Sequence, residues 1–203
     1  MSDEATDSSH AGTLYLKGAR SLQDQFDARR LADRLQEITV TGALDERQQG
    51  FISQATYFFL GTTDADGFPD LSHKGGPAGF VQIVDDHTLR FPSYDGNGMY
   101  RSLGNIIDTA KVALLFIRQD DRPVRIRLHG TAHVITDPAI VAGFAGAEAV
   151  VEVHMGRAFP NCPRYVHNLA TGDESESTPR EGYEPPQPEW KQWDAFRNLL
   201  PGT

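Results

Sequence analysis

Gly96 and Gly98 flank Asn97 in the stretch "FPSYDGNGMYRSLGNI", between a segment with strand character and one with helical character. Glycines before a helix let a ligand approach the backbone closely, and the free N–H groups of a first helical turn suit a phosphate. Asn97 is a good N-cap residue, and Arg101 or Ser102 would add side-chain donors. The helix is expected from about residue 97 to 107, with Met99, Leu103, Ile106 and Ile107 as its buried stripe and Ser102 and Asn105 on another part of its surface. Taken alone, the spacing is also that of an ordinary tight turn. It is not the dinucleotide fingerprint, and it does not open a βαβ unit.

Other reactive residue types carry less. His129 and His133 share a strand face, but four strand residues span about 13 Å, too far to share a metal. His73 could donate a proton, although packing is the favoured reading. Cys162 is the single cysteine, so no internal disulfide is possible, and a lone cysteine is usually inert. Asp64 with Asp66, and Asp85 with Asp86, look like carboxylate clusters only along the chain. Each pair falls at a hairpin turn, where aspartate makes local hydrogen bonds.

The elements that hold these residues follow from pattern. "SLQDQFDARRLADRLQEI" reads as one amphipathic helix on Leu22, Phe26, Leu31 and Leu35, and a second helix is expected to start near Asp45. "TYFFLGTTDADGFPDLSHKGG" reads as strand, turn, strand, and "GFVQIVDDHTLRFPSY" repeats that pattern. "KVALLFI" reads as a buried strand. In "VRIRLHGTAHVI", Ile126, Leu128, Ala132 and Val134 face one way and Arg125, Arg127, His129, Thr131 and His133 the other. Six short strands with few helices predict an all-β, six-stranded antiparallel barrel, since closure removes exposed edges. The expected organisation is a disordered N-terminus over 1–16, a domain over 17–171 that includes the N-terminal helices, and a Pro/Glu-rich linker with an aromatic tail over 172–203. In that tail Trp190, Trp193, Phe196, Leu199 and Leu200 would share a helical face.

With 203 residues, 39% hydrophobic content and a net charge of −9, a general nucleic-acid binder is disfavoured, because phosphate neutralisation needs a basic surface. The acidic, polar start lacks the apolar segment of a signal or membrane anchor. A cytoplasmic location is therefore expected, with neither membrane nor nucleic acid as partner.

The run from "YFFLGTTDADG" through "SHKGG", "FPSYDGNGMYRSLGNIIDTAKVALLFI" and "RPVRIRLHGTAHVI" to "FPNCPRYVH" resembles the pyridoxamine 5′-phosphate oxidase-like family of FMN-binding split barrels, over roughly 45–167. The resemblance implies a homodimer with FMN between its subunits and an FMN-dependent oxidoreductase acting on a small molecule. NAD(P)H or oxygen would be the other redox partner. It also implies that Ser72, His73, Lys74 and Gly75 run along the flavin, and that Ser93, Asn97, Met99, Arg101 and Ser102 lie at its phosphate. Arg125 matches a polar flavin contact, and Arg164 could reach the site from the second subunit. A cation such as Lys74 or Arg125 near the ring would raise the flavin's reduction potential.

The departures are specific. The true oxidases carry an arginine where this chain has Ser72 and an Arg-Lys pair where it has Arg101-Ser102, and their carboxy-terminal substrate motif is missing. Oxidation of a pyridoxal precursor is therefore not expected. A non-catalytic flavin-binding or flavin-sensing protein, or the same barrel with haem or a deazaflavin, are the alternatives.

Overall fold

The computed structural model describes residues 13–202. The chain divides into two compact units. The first holds Thr41–Arg118 and Val124–Asn161. The second holds the described residues up to Val40, Gln119–Pro123, and the chain from Cys162 onward. The N-terminal helices thus group with the C-terminal tail, where a single domain over 17–171 was expected. Of the N-terminus expected to be disordered, residues 1–12 lie outside the described residues. From Thr13 the chain is ordered by hydrogen bonds to the side-chain oxygen of Gln36.

In the second unit the single helix expected over "SLQDQFDARRLADRLQEI" is two, α1 (Lys17–Gln25) and α2 (Arg29–Thr39). Asp27 takes a left-handed conformation (φ 49°) between them, which no continuous helix tolerates. Leu31 is buried while Leu22 and Phe26 are exposed. The aromatic tail forms two short 3-10 turns, Glu189–Gln192 and Arg197–Leu199, instead of one helix. Phe196 is buried there, with the Trp190 ring edge-on at 5.7 Å. The segment expected to be an unpacked linker carries turns, a bridge between Arg180 and Tyr183, and a buried Ser177.

The first unit starts with α3 (Glu46–Ser53), opened by a capping box between Asp45 and Gln48, which satisfies two orphan donors at once. Seven strands follow: β1 (Tyr57–Thr63), β2 (Pro69–Gly75), β3 (Gln82–Ile83), β4 (Thr88–Tyr94), β5 (Lys111–Arg118), β6 (Val124–Ile135) and β7 (Ala147–Asn161). α4 (Arg101–Thr109) precedes β5, and the one-turn α5 (Pro138–Val141) precedes β7.

All pairings are antiparallel, in the order β2-β1-β5-β6-β7-β4-β3. Both expected hairpins form, and the aspartates do the turn work assigned to them. The Asp64 carboxylate accepts the N–H groups of Asp66 and Phe68, and Asp85 accepts that of His87. The six-stranded expectation is one strand short. The missing strand is β7, the longest of the seven and the partner of both β6 and β4.

Alternate residues of these strands enter one core, including Phe58, Leu60, Phe91, Leu114, Phe116, Leu128, Val151 and Val153. Sheet and core together make the split barrel. β2 and β3 each pair with one neighbour only, so the sheet keeps two ends.

Candidate functional site

The site is built on the strand at one end of the sheet. Along β2 the side chains alternate, and the register sets Asp70 opposite Thr62, Ser72 opposite Leu60 and Lys74 opposite Phe58. Thr62, Leu60 and Phe58 all point into the core. A polar stripe of Asp70, Ser72 and Lys74 therefore continues the apolar inner face of the barrel. Polar groups in that setting need partners, and α4 supplies them to Ser72 and Asp70. The Ser72 and Ser102 hydroxyls are hydrogen-bonded at 3.0 Å. Arg101 Nε lies 3.7 Å from the Asp70 carboxylate.

The inner face of α4 differs from the expected one. Ser102, Leu103, Asn105 and Ile106 are buried, while Met99 and Ile107 are exposed. Ser102 and Asn105 were expected on another part of the surface. They are inside because β1 and β2 offer hydroxyl partners, which an isolated helix pattern does not reveal. Asn105 Nδ2 donates to Thr62 Oγ1 at 3.0 Å, and the Thr109 hydroxyl donates to the Thr63 carbonyl at 2.9 Å.

The loop before α4 is also corrected. The helix starts at Arg101 rather than near Asn97, and Asn97 is not its cap. Asn97 Oδ1 instead accepts the Met99 N–H inside the loop. Gly98 (φ 73°) and Tyr100 (φ 47°) both adopt left-handed conformations there, the second at a steric cost that glycine would avoid. No side chain caps the first turn of α4. The Tyr100 hydroxyl donates to Glu148 at 3.0 Å, and that contact raises its pKa above the usual phenol value.

Where the end of β2 passes β4 without pairing to it, a cavity of about 190 Å³ opens, lined by His73, Lys74, Gly75, Pro92, Ser93, Tyr94 and Asp95. Four of the expected cofactor residues, His73, Lys74, Gly75 and Ser93, meet there. Burial lowers the Lys74 pKa below the usual lysine value, opposed by the Asp70 carboxylate. The His73 ring stacks on Tyr57 at 5.6 Å and meets Phe59 edge-on, the packing role the sequence favoured.

Two expected residues lie elsewhere. Arg125 pairs with Ile117, two positions on from Leu115, which is paired through Phe59 to His73. It therefore lies on the outer sheet face, opposite to Ser72. Arg164 belongs to the second unit, with its guanidinium 5.0 Å over the Tyr165 ring. His129 also faces outward, with its pKa lowered by burial and then by Arg157 and Arg127. Among the described residues no group of His, Cys, Asp or Glu is arranged to hold a metal, and no helix is long and apolar enough to cross a membrane.

Asp70, Thr62 and Asn105 were not singled out as site residues. The signal for Thr62 was present, since it follows Phe58 and Leu60 at strand spacing.

The class is that of an antiparallel split barrel whose end strand meets a helix start through Asp70 and Ser72. The family model described as pyridoxamine 5′-phosphate oxidase matches residues 44–170. The chain belongs to that family, whose fold is a flavin-binding one. Among solved structures, Group A Streptococcus HupZ is similar at 22% identity and a TM-score of 0.47, over 65% of this chain and 98% of that one. General Stress Protein 26 from Bacillus anthracis is similar at 14% identity and 0.43, over 57% and 91%. The FAD binding protein from Mycobacterium smegmatis is similar at 15% and 0.41, over 60% and 97%. No curated protein matches the chain.

Proposed function

We propose that this chain binds FMN at the cleft between β2 and β4 within a homodimer, and acts as an FMN-dependent oxidoreductase on a small molecule. The observation that carries the reading is the polar stripe on β2. Lys74 and Ser93 bring a half-buried cation and a hydroxyl to the cleft, and two residues back along β2 from Lys74 the Ser72 hydroxyl meets that of Ser102, together a donor set that fits a phosphate. The two positions at which the chain departs from the oxidases are the two whose hydroxyls meet. The anion grip is thus made of neutral donors, with Lys74 as the nearby charge.

FMN, when bound, supplies the redox chemistry, and the chain supplies placement and electrostatics. A cavity of about 190 Å³ is smaller than the roughly 300–1,000 Å³ usual for such ligands. One subunit therefore walls only part of the cofactor, which supports the homodimer. Arg125 and Arg164 can serve the site from a second copy. Lys74 favours negative charge gathering beside it and so favours the reduced state. NAD(P)H or oxygen would be the redox partner, in a cytoplasmic setting.

The test is the absorption spectrum of the purified protein, the mass of what acid releases from it, and anaerobic mixing with NADH or NADPH. FMN near one per chain, bleached at a catalytically useful rate, is expected. FMN that stays oxidised would leave a flavin-binding protein without this activity. Released haem or a deazaflavin would overturn the cofactor assignment.

A further inference from the structure

Asn105 and Thr62 form a hydrogen-bonded pair inside the barrel, 7% and 3% exposed, with Nδ2 to Oγ1 at 3.0 Å. Thr62 stands on the core-facing side of β1 in line with Phe58 and Leu60. Asn105 shares the inner face of α4 with Ser102, three residues earlier. Apolar contacts between a helix and a strand tolerate small slides, whereas a buried amide–hydroxyl bond is directional and costly to leave unmade. This bond therefore fixes how far along β1 the helix sits. The Thr109 hydroxyl, 2.9 Å from both the Thr63 and the Asn105 carbonyls, shares its proton between β1 and its own helix one turn further on.

β2 is in turn held to β1 by the pairing of Ser72 with Leu60. The 3.0 Å contact between Ser72 and Ser102 is the third side of a frame whose other two sides are the β1–β2 ladder and the Thr62–Asn105 bond. Moving α4 by about an ångström would separate the two hydroxyls, because a hydrogen bond weakens over that distance.

We infer that Asn105 and Thr62 are positioning residues, which act through Ser102 to set how strongly the site prefers a phosphorylated flavin over its dephosphorylated form. The inference rests on the reading of the Ser72–Ser102 region as the phosphate end of the cofactor site. Neither side chain need touch the ligand.

The full chain, stripped of cofactor, is titrated with FMN and with riboflavin, and the ratio of the two affinities is compared across variants. Wild type should prefer FMN. Thr62→Val, nearly isosteric, should lower the ratio about three- to tenfold, the usual scale of one lost or misplaced hydrogen bond, and leave riboflavin affinity within about twofold. Thr62→Ser should restore the ratio. In a Ser102→Ala background Thr62→Val should lower it no further, because both changes remove one contact. Asn105→Leu should act in the same direction, with its melting temperature showing that it folds.

An unchanged ratio in Thr62→Val would overturn the inference and leave the phosphate assignment standing. Equal weakening toward both flavins would assign the pair a purely structural role and overturn it too. A wild type that does not distinguish FMN from riboflavin would overturn the phosphate assignment, and the inference with it.

Discussion

Lys74 carries its charge in a setting that makes the charge costly. Burial lowers its pKa, so in the folded chain the ammonium is less favourable than in the unfolded one. Between that lowered value and the ordinary lysine value the unfolded chain binds more protons. Stability therefore rises as pH climbs through the window, and below it the charge remains a cost. Replacing Lys74 by Met should accordingly not lower the melting temperature at pH 7, while FMN affinity should fall about threefold or more for a lost charge-assisted contact. A melting temperature several degrees lower, with FMN affinity intact, would make Lys74 structural. His129 follows the same sign at lower pH. Its pKa is lowered, by burial first and by Arg157 and Arg127 next, so protonation opposes folding and stability is lost as pH falls below about 6.5. His129→Gln should reduce the drop in melting temperature between pH 7.5 and pH 5.5. An unchanged drop would mean that other groups carry the acid sensitivity.

At the scale of elements the β6–β7 ribbon is the most constrained. The register shifts between His129 and Gly130, and a Cβ on Gly130 would lie 2.2 Å from the His154 carbonyl oxygen. Only backbone movement could relieve that overlap, so Gly130→Ala should cost about 3 kcal/mol or prevent folding. Gly104, inside α4, has nothing within 4 Å of such a Cβ, and Gly104→Ala should stabilise by about 0.5–1 kcal/mol. Denaturant unfolding of the two variants checks both numbers, and similar effects at the two sites would contradict the bulge geometry. The hairpins, α3 and the alternation of β6 were legible in the sequence because each depends on neighbours a few residues away. The inner face of α4 was not. Ser102 and Asn105 are buried by Ser72 and Thr62, some 30 and 43 residues distant, and no local period reports such a partner. β7 was missed for a related reason. Val151, Val153 and Met155 alternate with Glu152 and His154, but Val150 breaks the period beside Ala149, and pairing with both β6 and β4 is not visible in a local pattern. His73, Lys74 and Gly75 were named through resemblance rather than spacing, and the structure brings them to one cavity. The start of α4 was misplaced because Asn97 makes its capping-type bond inside the loop.

At the scale of the whole molecule, the core cluster runs from Leu44 to Ala158 and takes every member from the first unit. A unit with its own core should fold without the rest. A chain of residues 41–161, which keeps the loop at 119–123, should therefore show a cooperative thermal transition by circular dichroism and dispersed amide resonances. A broad, non-cooperative melt would mean that the barrel depends on the second unit. The proposed homodimer gives this shorter chain a second use. Leu71 and Ile107 of the first unit are each 71% exposed, and large apolar side chains left in water are candidates for burial against another subunit. If the dimer forms through the barrel, light scattering should give twice the chain mass for 41–161 as well as for the full chain. A folded 41–161 that is monomeric, beside a dimeric full chain, would move the interface to the second unit. Arg125, on the outer face of β6, would then lose its route to a partner's cleft, and only Arg164 could still reach the cofactor from a second copy.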